Sequence, residues 1–238
     1  MIRNYIFDLY GTLVDIHTDE SMPVLWKRMA LFMSLQGASY SPEALRMAYG
    51  SAVAKQIEDR AQELPLIPRD HIEPDILLAF NALYADKGVA LDRDALWNTA
   101  LCFRALAMKH ISLYPHAIKV LQTLRARGNG VYLLSNAQSA FTVPELHMLG
   151  LAPLFDGTVL SSDVGIKKPD RAIFEHILMQ YGLEPKSCLM IGNDVEADML
   201  GAASVGMAGR YIRTKQSPCH KSPLPEVCTE IRSLKDLL

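Results

Sequence analysis

Ile6-Phe7-Asp8-Leu9-Tyr10-Gly11-Thr12-Leu13-Val14-Asp15 is the stretch on which the reading of this chain turns. Its apolar lead-in, Tyr5-Ile6-Phe7, is too short for a helix and predicts a buried strand. The run goes straight into an acid, then a glycine and a threonine. In an open parallel sheet, ligands bind at the carboxyl ends of the strands. Asp8 is therefore expected at a strand tip, where a carboxylate serves as nucleophile or metal ligand. Gly11 permits a sharp bend there and brings backbone N–H groups close to an anion. Taken alone, the stretch also fits a plain strand followed by an Asp-Gly-type turn.

Three more apolar runs, met working outward, end in residues that carry chemistry. Val131-Tyr132-Leu133-Leu134-Ser135-Asn136 ends in a hydroxyl. Gly157-Thr158-Val159-Leu160 leads to Gly165-Ile166-Lys167-Lys168-Pro169-Asp170, which places a cation on a loop. Cys188-Leu189-Met190-Ile191-Gly192-Asn193-Asp194 continues through Glu196 to Asp198, an acidic cluster. Singly these read as a strand-end turn, a solvated lysine loop and an acidic helix start. In this order the four motifs resemble the haloacid dehalogenase superfamily of hydrolases, in the subfamily I branch with a helical C1-type cap.

The segment between the first two motifs has a different character. Residues 21–110 read as helical almost throughout, with few β-branched runs. Apolar residues recur at helical spacing over 23–36, and Ser41-Pro42-Glu43 is a helix start with an N-cap, a proline and an acid. That helix is expected to reach about Ala61 with Gly50 as its weak point, and two more span about 74–87 and 93–107. From Tyr114 strands and helices alternate, which implies a parallel sheet with helices on both faces. Helices are predicted over 115–127, 137–149, 171–181 and 195–205, a last strand near 209–213, and a short terminal helix near 234–238. The expected architecture is α/β: a doubly wound parallel sheet from residues 1–15 and 112–238, with an all-helical insertion of residues 16–111. The resemblance makes that insertion the cap over the active site.

Composition narrows the function classes. The 238 residues are half hydrophobic, enough for a real core, and the formal net charge is −2. Basic residues are scattered, so no stripe points to nucleic acid. No apolar run approaches the ~18 residues of a membrane span, and the opening strand leaves no signal peptide. The four cysteines show no CxxC spacing and read as reduced thiols of a cytoplasmic protein. The expected partner is a small-molecule substrate, for a monomer or homodimer, with neither nucleic acid nor membrane.

The constellation has a chemical logic. An aspartate is ionised at neutral pH, and a phosphate substrate is also anionic, so compensating positive charge is needed. Mg²⁺ held by oxygens meets that need, and Asp8 with Asn193, Asp194 or Asp198 offers them. Lys168 adds a cation, chosen over Lys167 because the family's lysine directly precedes proline. Ser135 with neighbouring N–H groups binds substrate oxygens, Thr12 does likewise or steadies the turn, and Asn136 is a further contact. The resemblance assigns Asp8 as nucleophile, Ser135 and Lys168 as substrate contacts, and the fourth motif as the metal site. One Mg²⁺ is then expected on Asp8, the backbone carbonyl of Tyr10, and Asn193 or Asp194.

Two departures pull apart. Phosphatases of the family carry a second aspartate two residues after the nucleophile, where Tyr10 stands here. Tyrosine, with a pKa near ~10, is a poor proton shuttle. Tyr10 resembles the metal-independent 2-haloacid dehalogenases, which also need a cap arginine for the substrate carboxylate; Arg28 and Arg46 are candidates. The acidic fourth motif resembles the phosphatases, although Asn193 follows Gly192 where an aspartate is usual. The expected function is a Mg²⁺-dependent phosphatase of a small phosphate ester. The alternatives are a haloacid dehalogenase, or a binding or regulatory protein with weak turnover.

Overall fold

The computed structural model describes residues 2–238; Met1, the first residue of the expected core segment, lies outside them. In chain order the strands and helices are β1 (Asn4–Phe7), β2 (Val14–Thr18), α1 (Pro23–Leu35), α2 (Pro42–Glu63), α3 (Ile76–Asp86), α4 (Arg93–Ala107) and β3 (Met108–Leu113). There follow α5 (Ala117–Ala126), β4 (Gly130–Ser135), α6 (Ser139–Met148), β5 (Gly157–Leu160), α7 (Ser161–Val164) and α8 (Arg171–Gln180). The chain closes with β6 (Cys188–Gly192), α9 (Gly201–Ser204), β7 (Ala208–Ile212) and β8 (Cys228–Ile231).

Six strands form one sheet in the order β5-β4-β1-β6-β7-β8, every neighbour parallel. Successive side chains of a strand face opposite sides, and the two cores divide accordingly. Phe7, Leu133 and Ile191 pack with Val120 and Leu124 of α5 on one face. Ile6, Leu134 and Met190 pack with Phe174 and Ile177 of α8 on the other. Burial on both faces explains why these strands read as continuous apolar runs.

Helices α1 to α4 add no strand to this sheet. They close around Leu25, Met29, Phe80 and Phe103, and Phe141 of α6 joins that cluster from the sheet side. Helix starts follow local chemistry: Ser41 accepts the Ala44 N–H at 3.2 Å, and Asp75 and Asp92 cap α3 and α4 in the same way. The long α2 runs through Gly50 without a break.

Three features differ from the sequence expectation. The insertion expected to be all-helical over residues 16–111 is not so at its ends: Val14–Thr18 and Met108–Leu113 form an antiparallel ribbon, β2 with β3, pairing Val14 with Leu113 and Ile16 with Ile111. Its strands are short and distant in sequence, so neither shows a period of its own. A sixth sheet strand, β8, lies beyond residues 217–225, which are rich in Ser and Pro, and past the last strand expected near 209–213; only Cys228 and Ile231 of its four residues are buried. The helix expected over 195–205 opens as a π-helix at Val195–Leu200 before α9. Wide turns of this kind recur at functional sites.

Candidate active site

The strand order reverses between β1 and β6, and a doubly wound sheet opens its ligand crevice at such a point. Phe7 stands level with Leu133 of β4 and Ile191 of β6, so Asp8, Ser135 and Asn193 emerge side by side at the carboxyl edge. Lys168 arrives from the loop between α7 and α8. Its ammonium Nζ donates to Asp8 Oδ1 at 2.8 Å, Asp198 Oδ1 at 2.6 Å and the Leu134 carbonyl at 3.0 Å. Burial works against that charge, but Asp198 and Asp8 outweigh it and push the ammonium up to about 12.

One cation shared by two buried carboxylates leaves an excess of negative charge. Asp198 is the group that resists ionisation: burial, with Asp8 close by, raises its carboxyl to about 7 even though Lys168 pulls the other way. The ion pair favours charge on both partners, yet only Lys168 shifts in that direction. Burial and the second carboxylate account for the difference, and both directions hold. Asp198 Oδ2 also accepts the Asp194 N–H at 3.0 Å. Gly192 makes room for it, because a Cβ there would stand 2.1 Å from Asp198 Oδ2.

The remaining site residues are held as tightly. Ser135 Oγ donates to Asp8 Oδ1 at 3.3 Å, and Thr12 Oγ1 lies 3.1 Å from Asp8 Oδ2 and 3.2 Å from Asn193 Oδ1. Gly11, at φ +86, lets the turn press against the Asn193 amide; a Cβ would come within 2.3 Å of Nδ2. Asn136 faces the lysine loop: Nδ2 donates to the Lys168 carbonyl at 2.9 Å and Oδ1 accepts the Lys168 N–H at 2.7 Å. Asp194 caps the π-helix through its Oδ1 and the Ala197 N–H, 2.9 Å apart.

A family model described as a haloacid dehalogenase-like hydrolase matches residues 2–206. The chain belongs to that family. The chain is 28% identical over 131 residues to glyceraldehyde 3-phosphate phosphatase of Methanothermobacter thermautotrophicus, 52% of this chain and 58% of that one. Phosphoglycolate phosphatase of Yersinia pseudotuberculosis is 29% identical over 246 residues, covering 99% of this chain and 96% of its own. The chain spans about half the length of the first curated relatives it matches, from 40% to 58%. A solved 2-haloacid dehalogenase from Pseudomonas syringae pv. Tomato DC3000 superposes with a TM-score of 0.62 at 22% identity, over 100% of this chain and 96% of that one. That likeness is one of fold.

Tyr10 turns its phenol toward the helices. The hydroxyl donates to Glu145 Oε2 at 2.5 Å and lies 2.9 Å from Thr142 Oγ1, both on α6. Arg104 of α4 closes the group, its Nε 2.7 Å from Glu145 Oε1. Burial, then the charge of Glu145, raises the Tyr10 pKa, so the phenol stays a neutral donor. Sequence reasoning missed this cluster, because Arg104 and Glu145 belong to no motif. It also missed Gln216 and Pro218, which line the cleft beside the motif residues.

The cleft at Asp8 measures about 180 Å³. Arg28 and Arg46 are exposed on α1 and α2, and neither lines it. Among the described residues, no group of three or more His, Cys, Asp or Glu stands as a metal centre. Oxygens of Asp8, Asn193 and Asp194 nonetheless share the one cleft, and none of the hydrogen bonds closing the turn after Asp8 uses the Tyr10 carbonyl. Hard oxygen donors completed by water suit Mg²⁺. No helix of the described residues is long and apolar enough to cross a membrane.

Proposed function

We propose that this hydrolase is a Mg²⁺-dependent phosphatase of a small phosphate ester, working through an aspartyl-phosphate on Asp8. The observation that carries the reading is the charge of the cleft. Asp8, Asp194 and Asp198 line it against Lys168, and no arginine is among its lining residues. A 2-haloacid brings a carboxylate that needs a free cation, and Lys168 is already shared by Asp8 and Asp198. A phosphate ester arrives with a metal, and an excess of acid oxygens favours that.

Lys168 and Ser135 both donate to Asp8 Oδ1, whereas Oδ2 has only the Thr12 hydroxyl at 3.1 Å beside it, which makes the less committed Oδ2 the attacking oxygen. Oδ2 bonds to phosphorus as the bond to the leaving oxygen breaks. Lys168 offsets the charge of the transferring group and Ser135 holds its oxygens, while the buried Thr12 steadies Asp8 and Asn193. The leaving oxygen takes its proton from water, because the Tyr10 hydroxyl is committed to Glu145. Water then attacks phosphorus, the acyl phosphate bond breaks, and Asp8 returns as a carboxylate. Asn136 acts here as a positioning residue that fixes the backbone of Lys168. Asp8, the Tyr10 carbonyl, and Asn193 or Asp194 would hold Mg²⁺, which would supply Lewis-acid charge to the phosphoryl oxygens. Residues 16–111 serve as the cap over a core of 1–15 and 112–238.

Tyr10 alone favours the second reading, a metal-independent 2-haloacid dehalogenase. A panel of phosphate esters and 2-haloacids, run with Mg²⁺ and with chelator, separates the two. The phosphatase reading requires phosphate release that depends on Mg²⁺. Halide release in chelator, with no phosphate released under either condition, overturns it.

A further inference from the structure

Lys168 stands on a loop that the sheet does not hold alone. From the core, Asn136 takes both backbone groups of Lys168, at 2.7 and 2.9 Å. From the helical insertion, the stretch between α2 and α3 meets the same loop edge to edge. The Lys167 N–H donates to the His71 carbonyl at 2.8 Å, and the Glu73 N–H to the Gly165 carbonyl at 3.0 Å. Between these bonds Ile72 and Ile166 face each other in an antiparallel bridge, both buried. His71 Nδ1 lies 3.0 Å from Asp170 Oδ2, and Arg60 of α2 donates to the Val164 carbonyl at 3.1 Å.

Gln138 closes these contacts into a ring. It follows Asn136 by two residues, and its carboxamide reaches the insertion. Nε2 donates to Glu73 Oε1 at 2.6 Å and to the Pro74 carbonyl at 2.8 Å, and Oε1 accepts the Ile76 N–H at 2.9 Å. That last N–H opens α3 and has no partner within the helix. Both N–H groups of the carboxamide are thereby committed. The ring runs from Asn136 through Lys168 and Lys167 to residues 71–73, on to Gln138, and back along the chain to Asn136. Neither Gln138 nor any of residues 71–76 lines the Asp8 cleft, so none of them is placed to touch a substrate there.

We propose that Gln138 and residues 71–76 form a clamp that positions Lys168 for the reaction. Gln138 and Glu73 are positioning residues that act through the lysine loop. The inference rests on the role of Lys168 in the phosphatase reading above and goes beyond it, because it makes the insertion part of the catalytic apparatus and not only a cover. The Lys168 ammonium sits 2.8 Å from Asp8 and 2.6 Å from Asp198, at the end of a flexible stem. A shift of the loop backbone therefore moves it off one carboxylate or the other. A lysine displaced in this way offsets less of the charge on the transferring group, which costs turnover more than substrate binding.

The test is steady-state hydrolysis of an aryl phosphate with Mg²⁺, well below the melting temperature, with thermal melts alongside. Gln138→Met keeps the length of the side chain and removes its bonds to Glu73, Pro74 and Ile76. It is expected to lower kcat on the order of ten- to a hundredfold, the cost of slightly misplacing a catalytic group. KM should move by less than about threefold, as for an interaction made chiefly in the transition state. Gln138→Glu keeps the acceptor for the Ile76 N–H but offers Glu73 and Pro74 no donor, and should be slowed likewise. Adding Glu73→Gln returns a donor to that pair from the opposite side and should restore most of kcat. Should Gln138→Met not fold, Gln138→Glu with and without Glu73→Gln decides alone. A folded single variant with kcat within about twofold of the wild type overturns the proposal, even with a lowered melting temperature, since the clamp would then serve stability only. A double variant as slow as Gln138→Glu overturns it too. A wild type that releases no phosphate is a different failure: it removes the phosphatase reading on which the clamp rests.

Discussion

Lys168 is buried between Asp8 and Asp198, and much of the site's behaviour follows from that sharing. Asp8→Asn is expected to abolish turnover on every substrate, since an amide is a far poorer nucleophile; near-wild-type turnover, after checking for deamidation, would exclude Asp8 as nucleophile. Asp198 carries a testable pH signature. Its carboxyl is raised from 3.8 to about 7 by burial, then by Asp8, against the pull of Lys168. A raised carboxyl pKa contributes stability that is present below the unfolded value and lost as pH climbs through the folded one. The melting temperature of Asp198→Asn relative to wild type should therefore rise from about pH 4 to pH 7, as thermal melts across that range will read. Tyr10 gives the third prediction. With its hydroxyl committed to Glu145, activated aryl esters should be turned over much faster than alkyl esters. Tyr10→Asp should narrow that gap; steady-state kinetics on both ester classes will decide.

At the scale of elements, the helical insertion is tied to the sheet side by several contacts, among them two polar groups. On one side Arg104 of α4 pairs with Glu145 of α6, both largely buried. On the other, the chain before α3 bonds to the lysine loop: the Lys167 N–H donates to the His71 carbonyl at 2.8 Å and the Glu73 N–H to the Gly165 carbonyl at 3.0 Å. His71 also pairs with Asp170 at 3.0 Å. Breaking a buried pair by removing one partner is costly, because it strands the other charge. Arg104→Met should destabilise the protein by about 3 kcal/mol, and adding Glu145→Met should recover much of that loss. A denaturant titration of the single and double variants measures both, and equal destabilisation of the two would mean that packing, and not charge, sets the value.

For the whole molecule, an acid-rich cleft predicts that Mg²⁺ stabilises the folded state by mass action. Thermal melts should shift upward with Mg²⁺ and return with chelator, and Asp194→Ala combined with Asn193→Ala should lose the shift. No shift in the wild type, with or without a phosphate analogue, would count against the metal. How much of this was legible in the chain depended on range. Apolar runs ending in Asp8, Ser135 and Asn193 were visible because strands buried on both faces need unbroken hydrophobic stretches. The helices of residues 21–110 were visible because caps and spacing are local signals. The ribbon β2–β3 escaped, since its partners meet only once four helices have folded between them. Glu145 and Arg104 lie outside every motif, so their hold on Tyr10 came only with the packing of α6 against α4. The amino-acid order by itself determined the α/β class and the residues at the strand tips, because both rest on neighbours in sequence. The tertiary structure alone decided which carboxylate Lys168 shares with Asp8, where the Tyr10 hydroxyl points and what walls the cleft, because each of those contacts joins segments that only the folded sheet brings together.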